Sequence, residues 1–172
     1  AEQNKIGKII IPLAAGVATA IGMLASDVKF DFVRTYVARV EEVDLSLVKD
    51  LYSQMEEEAV RLLEEAEVTE MELIRSVDMR YVGQAYELNV EMPKGEITKE
   101  TLETLEKSFI KLYEETYGFT TGDPVETVNW RLLAVGKVPR VKVKTLEAKG
   151  RAEDALKGTR KAFFAEYGEY VD

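Results

Sequence analysis

Two stretches of this chain repeat their apolar residues at helical spacing, and each lies between runs of period two, an alternation that few folds accommodate. In the first, Leu47, Val48, Leu51, Met55, Ala59, Leu62, Leu63 and Ala66 keep a 3.6-residue period, which predicts a helix from about Asp44 to Ala66. Asp44 supplies its N-cap, and Val43 with Val48 makes a hydrophobic staple. Glu56, Glu57, Glu58, Glu64 and Glu65 fall mostly outside the stripe and read as a solvated face. In the second, Leu102, Leu105, Phe109, Leu112, Tyr113 and Tyr117 form the stripe of a helix from Lys99 to Tyr117. Thr98 caps it, Ile97 staples to Leu102, and Gly118 ends it.

The period-two runs supply the strands. Phe30 to Val40 reads as one, through Phe32, Val33, Tyr36 and Val37. Val125 to Val135 reads as another, with Trp130 and Leu132 on one face and Thr127, Asn129 and Arg131 on the other. Between the helices, Val77 to Leu88 reads as two strands folded back about Val82-Gly83. A two-residue turn there sets Met79 opposite Tyr86 and Asp78 opposite Glu87. Leu73, Val77, Met79 and Tyr81 then share a face with Tyr86, Leu88 and Val90, while Ser76, Asp78, Arg80, Glu87 and Asn89 share the other. The order is strand, helix, strand, strand, helix, strand. It predicts an α+β, ferredoxin-like split βαββαβ sandwich: a four-stranded antiparallel sheet with both helices on one face. The uncovered face gathers Asp78, Arg80, Glu87, Asn89, Asn129 and Arg131 and must meet solvent, another domain or a ligand. Opposed carboxylates repel unless a cation lies between them, so Arg80 is expected to bridge at least one of Asp78 and Glu87.

The ends of the chain read as appendages. Ile9 to Ala25 is almost wholly apolar, but Lys8 and Pro12 interrupt it, and a bilayer span needs about 20 clean apolar residues. It reads instead as a short buried strand, Lys8 to Ile11, and a small-residue helix, Leu13 to Leu24, whose Gly16, Ala20 and Gly22 admit a close neighbour. Lys137 to Lys149 is basic and loosely alternating, residues 150 to 158 are polar and linker-like, and Lys161 to Val171 reads as a hairpin about Tyr167-Gly168. The divisions expected are residues 1–27, 28–137 and 138–172.

Composition closes several routes to function. A net charge of −9 and a pI near 4.8 argue against nucleic acid and anionic membrane as partners. Cysteine and histidine are both absent, which excludes thiol chemistry and Ser-His-Asp machinery within the chain and leaves only oxygen-ligand metal sites. The lack of cysteine fits a cytoplasmic protein. Gly7, Gly16 and Gly22 do not have phosphate-loop spacing, and no Gly-Lys-Ser/Thr follows them, so no cofactor is expected in this chain. The start at Ala1 rather than Met suggests a piece of something longer, and the resemblance set out next implies the same of the stop at Asp172.

Four ordered stretches carry a family resemblance. Asp78-Met79-Arg80-Tyr81-Val82-Gly83-Gln84 with Tyr86-Glu87-Leu88 resembles the MRY-x-GQ signature of the hydantoinase A/5-oxoprolinase family, which also supplies the ATP-handling subunits of acetone and acetophenone carboxylases. Pro12 to Leu24, Asp27 to Thr35, and Tyr117-Gly118 with Pro124-Val125-Glu126 to Arg131 resemble further family stretches in the same order. Together they cover most of residues 8 to 136. The resemblance implies the C-terminal domain of an ATP-dependent enzyme acting on a cyclic amide such as a hydantoin or 5-oxoproline, or else of a ketone carboxylase. ATP and Mg²⁺ would be handled by an upstream actin-like nucleotide-binding domain, of which residues 1–27 would be the remnant, and a hydantoinase B-like subunit would be the partner. The residues that carry over are Asp78, Arg80, Tyr81, Gly83, Gln84, Glu87, Asn129 and Arg131, either as a docking platform or as substrate contacts. A free-standing ferredoxin-like binding module is the alternative from another class; the small-residue helix, which expects a large neighbour, argues against it.

Overall fold

The computed structural model describes residues 5–9, 15–139, 154 and 156–171. The chain divides into two compact units, Ala1–Val141 and Lys142–Asp172. In the first, a 3-10 turn leads into α1 (Ala18–Leu24), followed by β1 (Val28–Arg39), α2 (Leu45–Glu65), β2 (Glu70–Tyr81), β3 (Leu88–Glu91), α3 (Lys99–Tyr117) and β4 (Val125–Lys137). In the second, β5 (Ala162–Phe164) pairs antiparallel with β6 (Glu169–Val171).

The four strands of the first unit form one antiparallel sheet in the order β1-β4-β2-β3. α2 joins β1 to β2 with β4 between them, and α3 joins β3 to β4 with β2 between them. These two interlocked split βαβ units are the ferredoxin-like sandwich expected from the element order. Both helices cover the same face. Val48, Tyr52, Met55, Ala59 and Leu63 of α2 and Leu102, Leu105, Phe109 and Tyr113 of α3 share one core with Val77, Met79, Tyr81, Trp130 and Leu132.

Local chemistry sets the helix ends. The Asp44 carboxylate accepts from the backbone N–H groups of Ser46 (2.9 Å) and Leu47 (3.3 Å), an arrangement that contributes about 1 kcal/mol. Thr98 and Thr101 form a reciprocal capping box, and Gly118 takes the left-handed conformation (φ 80°) that stops α3. Tyr52 occupies the α2 stripe in place of Leu47, which is exposed. Its ring meets Trp130 edge-on at 6.1 Å, and its hydroxyl donates to the Ser76 carbonyl at 2.9 Å, so its one polar atom is satisfied on burial. β4 passes so close under the end of α2 that a Cβ on Gly136 would lie 2.8 Å from both Leu63 Cδ2 and Val68 Cγ1.

The N-terminal stretch departs from expectation. Lys8 and Ile9 belong to no strand and are exposed, and every residue of α1 is exposed. The helix begins at Ala18 after a 3-10 turn from Ala15, later than Leu13. A helix rich in Ala, Gly and Thr offers little apolar area to hold it against a core. The rest of the expected strand, residues 10 and 11, lies outside the described residues. In the second unit the hairpin turns where expected, with Tyr167 and Gly168 donating to the Phe164 carbonyl at 3.1 and 3.0 Å. Most of the basic stretch and of the linker that precede it lies outside the described residues. Among the described residues no helix is long and apolar enough to cross a membrane.

Candidate functional site

The β2–β3 connection is a six-residue loop, Val82 to Glu87, rather than a two-residue turn. Gly83 has φ 90°, a conformation that costs other residues about 1–2 kcal/mol. The Gln84 N–H closes back on the Tyr81 carbonyl at 3.0 Å, and the Val82 N–H donates to the Pro124 carbonyl at 2.9 Å. The longer loop moves the pairing by two residues: Met79 faces Leu88, and Asp78 faces Asn89. A shift of two keeps every strand side chain on its face while changing its partner. The expected opposition of Asp78 and Glu87 therefore does not occur. Tyr86 leaves the sheet altogether and is 82% exposed.

A second irregularity sits at Val128. Asn129 pairs with Thr35 and Asp78, yet Thr127 pairs with Ala38 and Met79, so the alternation of β4 inverts across Val128. Thr127, expected on the open face, is instead fully buried, and its hydroxyl donates to the carbonyls of Tyr36 (3.4 Å) and Ala38 (3.2 Å).

These registers place Thr35, Asn129, Asp78 and Asn89 abreast, one from each strand, on the face away from the helices. The Asp78 carboxylate accepts from Asn89 Nδ2 at 2.8 Å, Asn129 Nδ2 at 3.1 Å and Arg131 Nε at 2.8 Å. Thr35 donates to Asn129 Oδ1 at 2.8 Å, Asn89 also reaches Ser76 Oγ at 3.0 Å, and Arg131 Nη1 reaches Asp31 at 2.9 Å. Asp78 is only 9% exposed. Burial by itself pushes its carboxyl upward, but the hydrogen bonds from Asn89, Arg131 and Asn129 outweigh this and hold it below the usual aspartate range. The Asp78 hydrogen bond in turn raises the Arg131 guanidinium.

Arg80 anchors a second group, with Nε at 2.7 Å from Glu126 and Nη1 at 3.3 Å from Glu87, so it does bridge one of the two carboxylates expected of it. Tyr81 belongs to the core, its ring edge-on to Phe109 at 5.1 Å and Tyr113 at 4.8 Å. Gln84 ties the loop to α3 by donating to the Tyr113 hydroxyl at 2.8 Å. The candidates thus separate into three groups: Asp78, Asn129 and Arg131; Arg80 and Glu87; and the loop set Tyr81, Gly83 and Gln84. Asp31 and Thr35 extend the first group, and their place in the Asp27 to Thr35 stretch is the signal that could have found them. Glu126 joins the second, and its place in the Pro124-Val125-Glu126 run is the signal that could have found it.

With three donors on it, Asp78 is a firmly ionised positioning group and a poor proton acceptor. Among the described residues no cluster of three or more acids is placed to hold a metal. The arrangement is a polar row joined by hydrogen bonds across all four strands.

Residues 38–171 match the family model described as the hydantoinase/oxoprolinase C-terminal domain. An uncharacterized protein of Methanocaldococcus jannaschii is 29% identical over 150 residues, which cover 87% of this chain and 21% of that protein. The caprolactamase subunit alpha of Pseudomonas jessenii is 25% identical over 179 residues, covering 100% of this chain and 26% of the subunit. Among solved structures, the ATP-dependent caprolactamase from Pseudomonas jessenii superposes with a TM-score of 0.67 at 24% identity, over 92% of this chain and 24% of that one. Nucleotide-free acetone carboxylase gives a TM-score of 0.64 at 22% identity, over 95% of this chain and 25% of that one. The two structures share the fold. The chain spans about a quarter of the length of these relatives, 21% and 26% of the two sequences. By the match over residues 38–171, the chain belongs to the hydantoinase/oxoprolinase family, as its C-terminal domain.

Proposed function

We propose that this domain serves docking or subunit assembly within an ATP-dependent hydrolase of cyclic amides, of the hydantoinase/5-oxoprolinase type. The observation that carries the docking role is the polar row on the sheet face that neither helix covers. Asp78 at its centre steadies the fold, but the more exposed pairs of this face, Arg80–Glu87 and Arg131–Asp31, contribute only about 0.2–1 kcal/mol each to the lone domain. Covered by another surface, the same groups fix orientation and reject wrong partners. ATP and Mg²⁺ chemistry falls in this reading to an upstream actin-like nucleotide-binding domain, and a hydantoinase B-like subunit is the second partner. A parent that is a ketone carboxylase would use the domain in the same way.

Two measurements test the reading. Arg80→Ala is expected to leave the chain folded, its melting temperature within a few degrees, the shift of a ~1 kcal/mol change. In the assembled parent the same change should markedly reduce association or activity; unchanged assembly and activity would return the face to a solvated surface. Mg-ATP titrated into the 172-residue chain should give no micromolar binding heat, because no glycine-rich phosphate cradle is present in the sequence. Tight binding would place nucleotide chemistry in this domain.

A further inference from the structure

We propose that the cleft between the signature loop and the end of α3 is an anchor pocket for an arginine side chain presented by a partner domain or subunit. The inference rests on the docking reading and names the chemistry that one part of the docking surface recognises.

Gln84, Ala85, Tyr86, Tyr113 and Tyr117 line a cleft of about 230 Å³. That is below the roughly 300–1,000 Å³ of small-molecule sites and suits one side chain. Its back wall is rigid. Tyr113 is buried, held at its hydroxyl by Gln84 and packed against Tyr81 at 4.8 Å. Its mouth is open: Tyr117, 4.6 Å from Tyr113, is 48% exposed, and Tyr86 stands almost free of the protein. Large aromatic rings left in water beside a rigid wall are the usual makings of an interface anchor.

Charge decides what the anchor receives. The cleft lies at the C-terminus of α3, where aligned peptide dipoles leave about half a negative charge. The last turn has no basic residue and carries Glu114 and Glu115. Lys111 pairs with Glu115 at 3.8 Å, while Glu114 makes no ion pair among the described residues. An aromatic cleft at a negative helix end favours a cation over an aliphatic or prolyl group. Arginine fits better than lysine, because its flat guanidinium stacks on tyrosine rings while its edge still donates. Gln84 commits one of its two amide N–H donors to Tyr113, and its Oε1 remains an acceptor at the cleft.

The test is a titration of the 172-residue chain with N-acetyl-arginine amide, followed through tyrosine ring resonances by NMR, with N-acetyl-leucine amide as control. Saturable shifts of the Tyr86 and Tyr117 rings are expected, with an affinity on the order of millimolar. The leucine probe should bind about two- to fivefold more weakly. Tyr117→Phe should keep the response, whereas Tyr117→Leu and Glu114→Gln should weaken it. Equal response to the leucine probe, or no saturable response to the arginine probe, would overturn the proposal. If Arg80→Ala breaks assembly and the arginine probe does not bind, the docking reading stands and the pocket falls. If the probe binds and Arg80→Ala leaves assembly intact, the pocket's cation chemistry stands and the docking reading falls.

Discussion

Replacing Trp130 with alanine is expected to destabilise the domain by about 3–5 kcal/mol, the largest loss from any single side chain considered. Trp130 is fully buried at the middle of β4, opposite Val77 on β2 and Arg34 on β1. Its indole Nε1 donates to the Tyr36 carbonyl at 3.2 Å, and its ring meets Tyr52 at 6.1 Å. Truncation would remove the core's largest volume and also weaken the tie that holds β1 past its irregularity at Tyr36–Val37. A domain with about 5–15 kcal/mol of total stability has little margin after such a loss. Trp130 is the single tryptophan of the chain, so urea unfolding should be followed by far-ultraviolet circular dichroism rather than fluorescence. Trp130→Phe should recover part of the loss. A cost under ~1 kcal/mol for the alanine variant would refute the packing described.

Asp78→Ala comes second. The change leaves Arg131 with Asp31 alone and Asn89 with Ser76 alone, and it takes the acceptor from the Asn129 amide N–H; hydrogen bonds to a charged group are worth about 1.5–3 kcal/mol. Asp78→Asn keeps the shape and removes the charge. The carboxyl is held lower in the folded chain than in the unfolded one, so its contribution is present above the unfolded aspartate pKa of about 3.9 and fades as pH falls through the folded value. The stability gap between the wild type and Asp78→Asn should therefore narrow as the solution is taken below about pH 4. A gap that stays constant from neutral pH into that range would mean that the charge on Asp78 does not support the fold.

The features legible in the sequence were those with local causes. α3 was readable end to end because Thr98, the apolar stripe and Gly118 all act within a few residues of the boundaries they set. Trp130 and Leu132 declared their face by simple alternation. Tyr86 and Tyr117 depart from their patterns for one reason: each continues a buried pattern past the point where the core stops, and periodicity carries no notice of that point. The Val128 irregularity was invisible because the extra residue is a valine, as suited to a strand as its neighbours. Asp31 and Arg131 are 100 positions apart, and only the strand order brings them together. The grouping of Asp78, Asn129 and Arg131 on one face was readable; the partners that hold each of them were not.

The place of β4 in the sheet has a consequence for how the chain comes to be folded. β4 is the last strand of the sheet to leave a ribosome, yet it lies between β1 and β2. Until it arrives, β1 has no neighbour in the sheet, and β2 has only the four residues of β3. A nascent chain that has released everything through α3 still carries open strand edges, the surfaces most prone to pair with other chains. Strand pairs closed over such long sequence separations also form slowly. The domain gains its sheet late and nearly all at once, and the interval before β4 is complete is when it most needs a chaperone.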